Sequence, residues 1–126
     1  MGNADYKAAF DRVVIPVLNQ FNPDLILVSC GIDAVAADHI GDYILTPDMF
    51  GYMTKRVMAS SKNGKVLLCL EGGYNCKAIG ESLCSCLDVL VNDTEPAVPF
   101  QPPHSKRAIQ TLDTVVKQQA KYWNLE

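Results

Sequence analysis

Asp38 and Tyr74 are the residues best placed to do chemistry, because each follows an apolar run that breaks into glycine and polar residues. Leu25-Ile26-Leu27-Val28 gives way to a segment from Ser29 to Gly41 that carries Asp33, Asp38 and His39. Lys65-Val66-Leu67-Leu68-Cys69-Leu70-Glu71 gives way to Gly72-Gly73-Tyr74. In an open parallel sheet, ligands bind just beyond the carboxyl ends of the strands. The two runs are therefore expected to deliver an acceptor carboxylate and a donor phenol to one rim. The glycines before Tyr74 let the backbone approach a ligand closely. Plainer structural roles stand beside these. Asp38 could be a loop carboxylate capping local N–H groups, and Tyr74 an amphipathic plug at a strand end.

Other chemistries are excluded by missing motifs. Neither G-x-x-x-x-G-K-[ST] nor G-x-G-x-x-G is present, so phosphate binding rests on a single Gly-Gly. There is no G-x-S-x-G elbow, and His39 and His104 have no recognisable triad partners. The five cysteines, Cys30, Cys69, Cys76, Cys84 and Cys86, are odd in number and lie mostly in apolar segments, as small buried hydrophobes do. Cys84 and Cys86 on a helix would point about 200° apart, which does not suit a shared metal.

With 126 residues, 48% of them apolar, and a net charge of −3, the chain has the size and composition of one globular domain. Its short basic pairs, Lys55-Arg56 and Lys106-Arg107, give no footprint for nucleic acid or an anionic membrane. No apolar stretch approaches the roughly 20 residues of a membrane span, and the first residues lack the pattern of a signal peptide. A reducing compartment is the expectation.

The elements that must hold the rim follow from periodicity. Tyr6, Phe10, Val13, Val14, Val17 and Phe21 form a helical stripe, with a kink expected at Pro16 because proline cannot donate to the carbonyl of Arg12. Leu25 to Ser29 is continuously apolar and predicts a strand covered on both faces. Thr46-Pro47 opens a helix whose buried face is Met49, Phe50, Met53 and Val57, and residues 60–64 stop it. Lys65 to Leu70 is the second strand. Asn75 caps a helix to about Val91 with Ile79, Leu83, Leu87 and Leu90 on one face. A proline-rich connection from Asn92 to Ser105 contains Pro96, Pro99, Pro102 and Pro103. A last helix from Lys106 to about Tyr122 presents Ile109, Leu112, Val116 and Ala120. The order predicts a βαβ unit with a right-handed crossover. Two strands are few for a sheet covered on both sides, so the chain reads as part of a larger α/β domain.

Residue identity carries the reading further. Phe21-Asn22-Pro23-Asp24-Leu25-Ile26-Leu27-Val28-Ser29-Cys30-Gly31-Ile32-Asp33-Ala34, then Asp38-His39-Ile40-Gly41, then Leu70-Glu71-Gly72-Gly73-Tyr74-Asn75 resemble the C-terminal part of the zinc-dependent histone deacetylases. Glu71 before Gly-Gly-Tyr and the terminal Gln119-Ala120-Lys121-Tyr122-Trp123-Asn124 resemble the second class of that family. The resemblance runs from about Gly2 to Trp123. Two departures stand out: His39 takes the place of the usual proline, and Ile32 that of the usual phenylalanine.

The resemblance implies an α/β fold, the C-terminal portion of a three-layer arginase/deacetylase-like domain with a parallel sheet, residues 1–126 lacking an N-terminal part. It implies hydrolysis of N6-acetyl-lysine to lysine and acetate. Asp38 would be a zinc ligand, Tyr74 the catalytic tyrosine donating to the carbonyl oxygen as it becomes an oxyanion, and Gly72 and Gly73 would line the substrate channel. Asp33 would be structural, tying the loop through backbone N–H bonds. The family's tandem histidines and its Asp-x-His pair are not in this chain. One carboxylate does not make a catalytic zinc site, so the chain alone is expected to be inactive. The implied partners are an acetylated histone or non-histone protein and possible corepressor complexes, with no direct nucleic-acid binding and no membrane. The implied setting is nuclear or cytoplasmic, in chromatin regulation and transcription repression. The rival expectation is a non-catalytic truncated module that acts by binding protein.

Overall fold

The computed structural model describes residues 1–99 and 105–125. The expectations for Pro102, Pro103 and His104 lie outside the described residues.

The chain opens on helix α1, Asn3–Ala9, which passes through a π-helical turn, Phe10–Val14, into α2, Ile15–Phe21. Next to Pro16, where a kink was expected, the helix carries this widened turn. Ile15 N–H reaches back five residues to the Phe10 carbonyl, and the π turn falls just where proline removes a regular bond. Asn22, in the left-handed region at φ 53°, ends α2 and donates its N–H to the Leu18 carbonyl at 2.8 Å. The predicted stripe does not hold throughout: Phe21 is exposed, while Ile15, Asn3 and Asp5 are buried. The two buried polar residues are bonded. The Asn3 side chain exchanges hydrogen bonds with Thr46, donating to Oγ1 and accepting from N–H, both at 3.0 Å. Asp5 accepts from Gly2 N–H at 3.0 Å and Ser105 N–H at 2.8 Å.

Strands β1, Ile26–Cys30, and β2, Val66–Leu70, pair in parallel with Ile26 opposite Val66 and Cys30 opposite Leu70. Helix α3, Pro47–Ala59, and a short 3-10 turn, Lys62–Gly64, make the crossover between them. At its base, Lys62 donates its N–H to the Pro23 carbonyl at 3.0 Å and its Nζ to Asp24 at 2.9 Å. The sheet is not covered on both faces within this chain. Ile26, Val28, Val66 and Leu68 are half-buried, whereas Leu27 and Leu67 on the opposite face are 65% and 53% exposed. Val28 and Leu68 pack on the core formed by Cys30, Ile32, Val35, Leu45, Met49, Phe50, Tyr52, Ala78 and Cys86.

Helix α4, Cys76–Asn92, follows the second strand. Its buried face is Ala78, Ser82, Cys86 and Val89, one position before the larger residues expected there, and Leu87 is exposed. Small side chains face the core because α3 comes very close: a Cβ on Gly51 would lie 2.3 Å from Ser85 Oγ. The cysteines are less buried than expected. All five are free, Cys30 and Cys86 are buried, and Cys69, Cys76 and Cys84 are exposed. Burial raises the thiol pKa of both Cys30 and Cys86.

Helix α5, Lys106–Gln119, stops short of Tyr122 and buries Ala108 and Leu112, leaving Ile109 partly exposed. Arg12 joins it to the π turn through Asp113 at 2.8 Å.

Candidate functional site

The two strand ends run on together past the sheet. Glu71 N–H donates to the Cys30 carbonyl at 3.2 Å and Ile32 N–H to the Gly72 carbonyl at 2.7 Å, which continues the parallel pairing to the start of each loop. Ile32 then buries completely and anchors the longer loop. That loop turns twice, with Val35 N–H on the Ile32 carbonyl at 3.1 Å and Asp38 N–H on the Val35 carbonyl at 3.0 Å. It is pinned to the start of α3 by Ala36 N–H to the Leu45 carbonyl at 2.9 Å and Leu45 N–H to the Ala34 carbonyl at 3.1 Å.

Asp38 is 8% exposed, and both of its carboxylate oxygens are engaged. Oδ1 accepts from Ile40 N–H at 2.8 Å and Gly41 N–H at 3.0 Å, and Oδ2 accepts from Tyr74 N–H at 2.7 Å. The Gly41 N–H, with those of Ile40 and Tyr74 and the charge of His39, holds the carboxyl below its ordinary range against the opposing effect of burial. The same bonds make Asp38 the organiser of the loop and join it to the other strand end.

The glycines of the site admit neighbours rather than simply loosening the chain. A Cβ on Gly41 would lie 1.8 Å from the Asp33 carbonyl oxygen, and one on Gly72 would lie 2.7 Å from Asp33 Oδ2. Gly73 sits at φ 142°, with Ile79 3.0 Å and Ile32 3.3 Å from where its Cβ would be. Asp33 is thus packed against Gly72, and the loop-tying bonds expected of it go to Asp38 instead. Asp38 reaches the N–H groups of Ile40 and Gly41 just beyond it, as an Asx turn does.

Tyr74 is 52% exposed at the rim. Next to it, Asn75 caps α4 as expected, Oδ1 accepting from Ala78 N–H at 3.1 Å. Its Nδ2 also donates to the Ala37 carbonyl at 2.8 Å, a link that sequence reasoning missed. The signal was the choice of asparagine: among strong N-cap residues it alone carries an amide donor as well as an acceptor. His39 is exposed.

A cleft of about 800 Å³ borders both strand ends, lined by Gly41 and Gly72 of the rim together with Tyr6, Asp33, Tyr43 and Arg107 among others. The Tyr6 and Tyr43 rings meet edge to face, with centroids 6.0 Å apart. Burial, with Tyr43 and Asp33 nearby, raises the Tyr6 hydroxyl pKa. Asp38 and Tyr74 do not line this cleft.

Among the described residues no three His, Cys, Asp or Glu side chains gather as a metal ion would need. A zinc ion, which the resemblance implies, is met here by one suitable donor. Asp38 is anionic and hard, and its three N–H bonds leave part of a carboxylate's roughly four lone-pair sites open. Among the described residues, no helix is long and apolar enough to cross a membrane.

The histone deacetylase domain model matches residues 1–90. Histone deacetylase clr3 of Schizosaccharomyces pombe is 42% identical over 123 residues, covering 98% of this chain and 18% of that protein. Histone deacetylase HDA1 of Saccharomyces cerevisiae is 38% identical over 125 residues, with 98% and 18% covered. The solved structure of the histone deacetylase Clr3 superposes with a TM-score of 0.93 at 42% identity, over 98% of this chain and 20% of that one. The HDA15 HD domain gives a TM-score of 0.87 at 34% identity, over 97% and 33%. The chain therefore spans about a fifth of the length of these curated relatives. Its α/β fold with a parallel sheet is of the arginase/deacetylase type. By its sequence and by its fold, the chain belongs to the zinc-dependent histone deacetylase family, in its second class.

Proposed function

We propose that this chain is the C-terminal part of a lysine deacetylase catalytic domain, one that hydrolyses N6-acetyl-lysine to lysine and acetate. The observation that carries the reading is the 2.7 Å bond from Tyr74 N–H to Asp38 Oδ2, which locks a potential metal ligand and a potential oxyanion donor into one rim. Asp38 is the ligand supplied from this side. Zinc, when bound, supplies a Lewis acid that polarises the amide carbonyl. The Tyr74 hydroxyl donates a hydrogen bond to the same oxygen as negative charge develops on it. Gly72 and Gly73, where side chains would collide with Asp33 and with Ile79 and Ile32, let the backbone pass close to the acyl-lysine channel. The remaining ligands and the histidine acid and base come from polypeptide outside this chain, so the chain alone is inactive and holds no zinc of ordinary affinity. The exposed sheet face of Leu27 and Leu67 supports this reading, since it offers apolar surface for further polypeptide to cover. Acetylated histone or another acetylated protein is the substrate class, within corepressor assemblies of the nucleus or cytoplasm.

The test is a complete domain built around this chain, assayed on an acetyl-lysine peptide. Tyr74→Phe should lower kcat about a hundredfold or more while leaving bound zinc intact, and Asp38→Asn should lose the zinc as well. Full activity in Tyr74→Phe, or one equivalent of zinc with deacetylase activity in the chain alone, refutes the reading.

A further inference from the structure

We propose that Asn75 is a positioning residue, a two-ended amide that fixes the Asp38 loop against the Tyr74 turn. Its catalytic consequence rests on the deacetylase reading, while its structural part stands apart from it. The Asn75 side chain uses both ends: Oδ1 accepts from Ala78 N–H at 3.1 Å, and Nδ2 donates to the Ala37 carbonyl at 2.8 Å. The first bond fixes Asn75 to the start of α4, and the second carries that fixed point to the residue just before Asp38.

The neighbouring bond from Tyr74 N–H to Asp38 Oδ2 runs between the same two segments. At this far end of the loop, beyond the Ile32 N–H to Gly72 carbonyl bond at its base, a single hydrogen bond would act as a pivot. Two, made by adjacent residues on each side, also fix the rotation, so the direction in which the Asp38 carboxylate faces is set. Packing holds the loop at Val35 and at Asp38 itself, whereas Ala36, Ala37, His39 and Ile40 along its outer edge are exposed. The outer edge of the loop therefore depends on polar contacts for its orientation. Asn75 also follows Tyr74 directly, so the same clamp limits the swing of the tyrosine backbone.

The two roles of Asn75 separate chemically. Aspartate caps a helix as well as asparagine does, but it has no amide donor, and its carboxylate would face the Ala37 carbonyl oxygen. Asn75→Asp therefore keeps the cap and cuts the link. Asn75→Ser does the same by another route, its shorter hydroxyl serving the cap without spanning to Ala37.

The experiment is amide hydrogen exchange by NMR on the chain itself. In Asn75→Asp and Asn75→Ser, exchange at Tyr74, Ile40 and Gly41 is expected to rise about fivefold or more, with Ala78 still protected. In a complete domain assayed on an acetyl-lysine peptide, Asn75→Asp should lower kcat about tenfold or more with KM little changed. Unchanged protection at Tyr74, Ile40 and Gly41 in both variants would make Asn75 a helix cap only and overturn the proposal. Faster exchange with unchanged kcat overturns its catalytic part. Faster exchange in a complete domain that has no deacetylase activity before mutation supports the clamp and refutes the deacetylase reading.

Discussion

The rim of the sheet and its outer face are made by the same two strands, yet the rim is knit at every turn and the face is bare. At the rim, Ile32 is fully buried, Asp38 takes three backbone N–H bonds, and three glycines allow contacts that a side chain would block. On the outer face, Leu27 and its register partner Leu67 stand in solvent. The difference teaches where structure comes from in each place. Local bonds and close approaches make the rim self-sufficient, whereas an apolar sheet face needs another layer to cover it.

Three variants would sharpen or break that contrast when unfolding is followed by denaturant titration of the chain. Ile32→Ala removes a fully buried side chain beneath the rim and should destabilise by about 2–5 kcal/mol. Gly41→Ala places a methyl group 1.8 Å from the Asp33 carbonyl oxygen and should cost about 1–3 kcal/mol by forcing the loop apart. Leu27→Ser with Leu67→Ser on the bare face should change the stability of the chain by less than about 0.5 kcal/mol. The same pair placed in a complete domain should be strongly destabilising. A large loss in the chain alone would mean that the outer face is already covered in solution, by self-association for instance, and the contrast would fail.

Much of this contrast was readable in the sequence, and what was not has physical reasons. The strands, the Thr46-Pro47 helix start and the Asn75 cap follow from local chemistry, since turn residues and apolar runs act over a few positions. The rim was legible for the same cause: strand ends, glycines and a carboxylate are all local signals. The both-face burial of β1 was not legible in this form, because a continuous apolar run reports what a strand is suited to meet and not what this chain brings to meet it. The face of α4 was misjudged by one position, because large residues outweigh small ones in a periodic pattern. Here it is Ala78, Ser82 and Cys86 that admit the close approach of α3 at Gly51. Asp38 as a carboxylate capping local N–H groups was legible, and its bonds to Ile40 and Gly41 are of that kind, whereas its bond to Tyr74, 36 residues away, is one that no local pattern reveals.

The π turn at Phe10–Val14 has a consequence for how the first helical segment can vary. One extra residue in a turn shifts the angular phase of everything after it by about 100°. The end bearing Asn3 and Asp5, bound to Thr46 and Ser105, is therefore out of phase with the end bearing Gln20, whose side chain bonds the Asn124 backbone. A deletion of one residue between Phe10 and Val14 would remove the extra residue of the turn and set these two attachments against each other, so this stretch should tolerate exchange of residues far better than any change in their number.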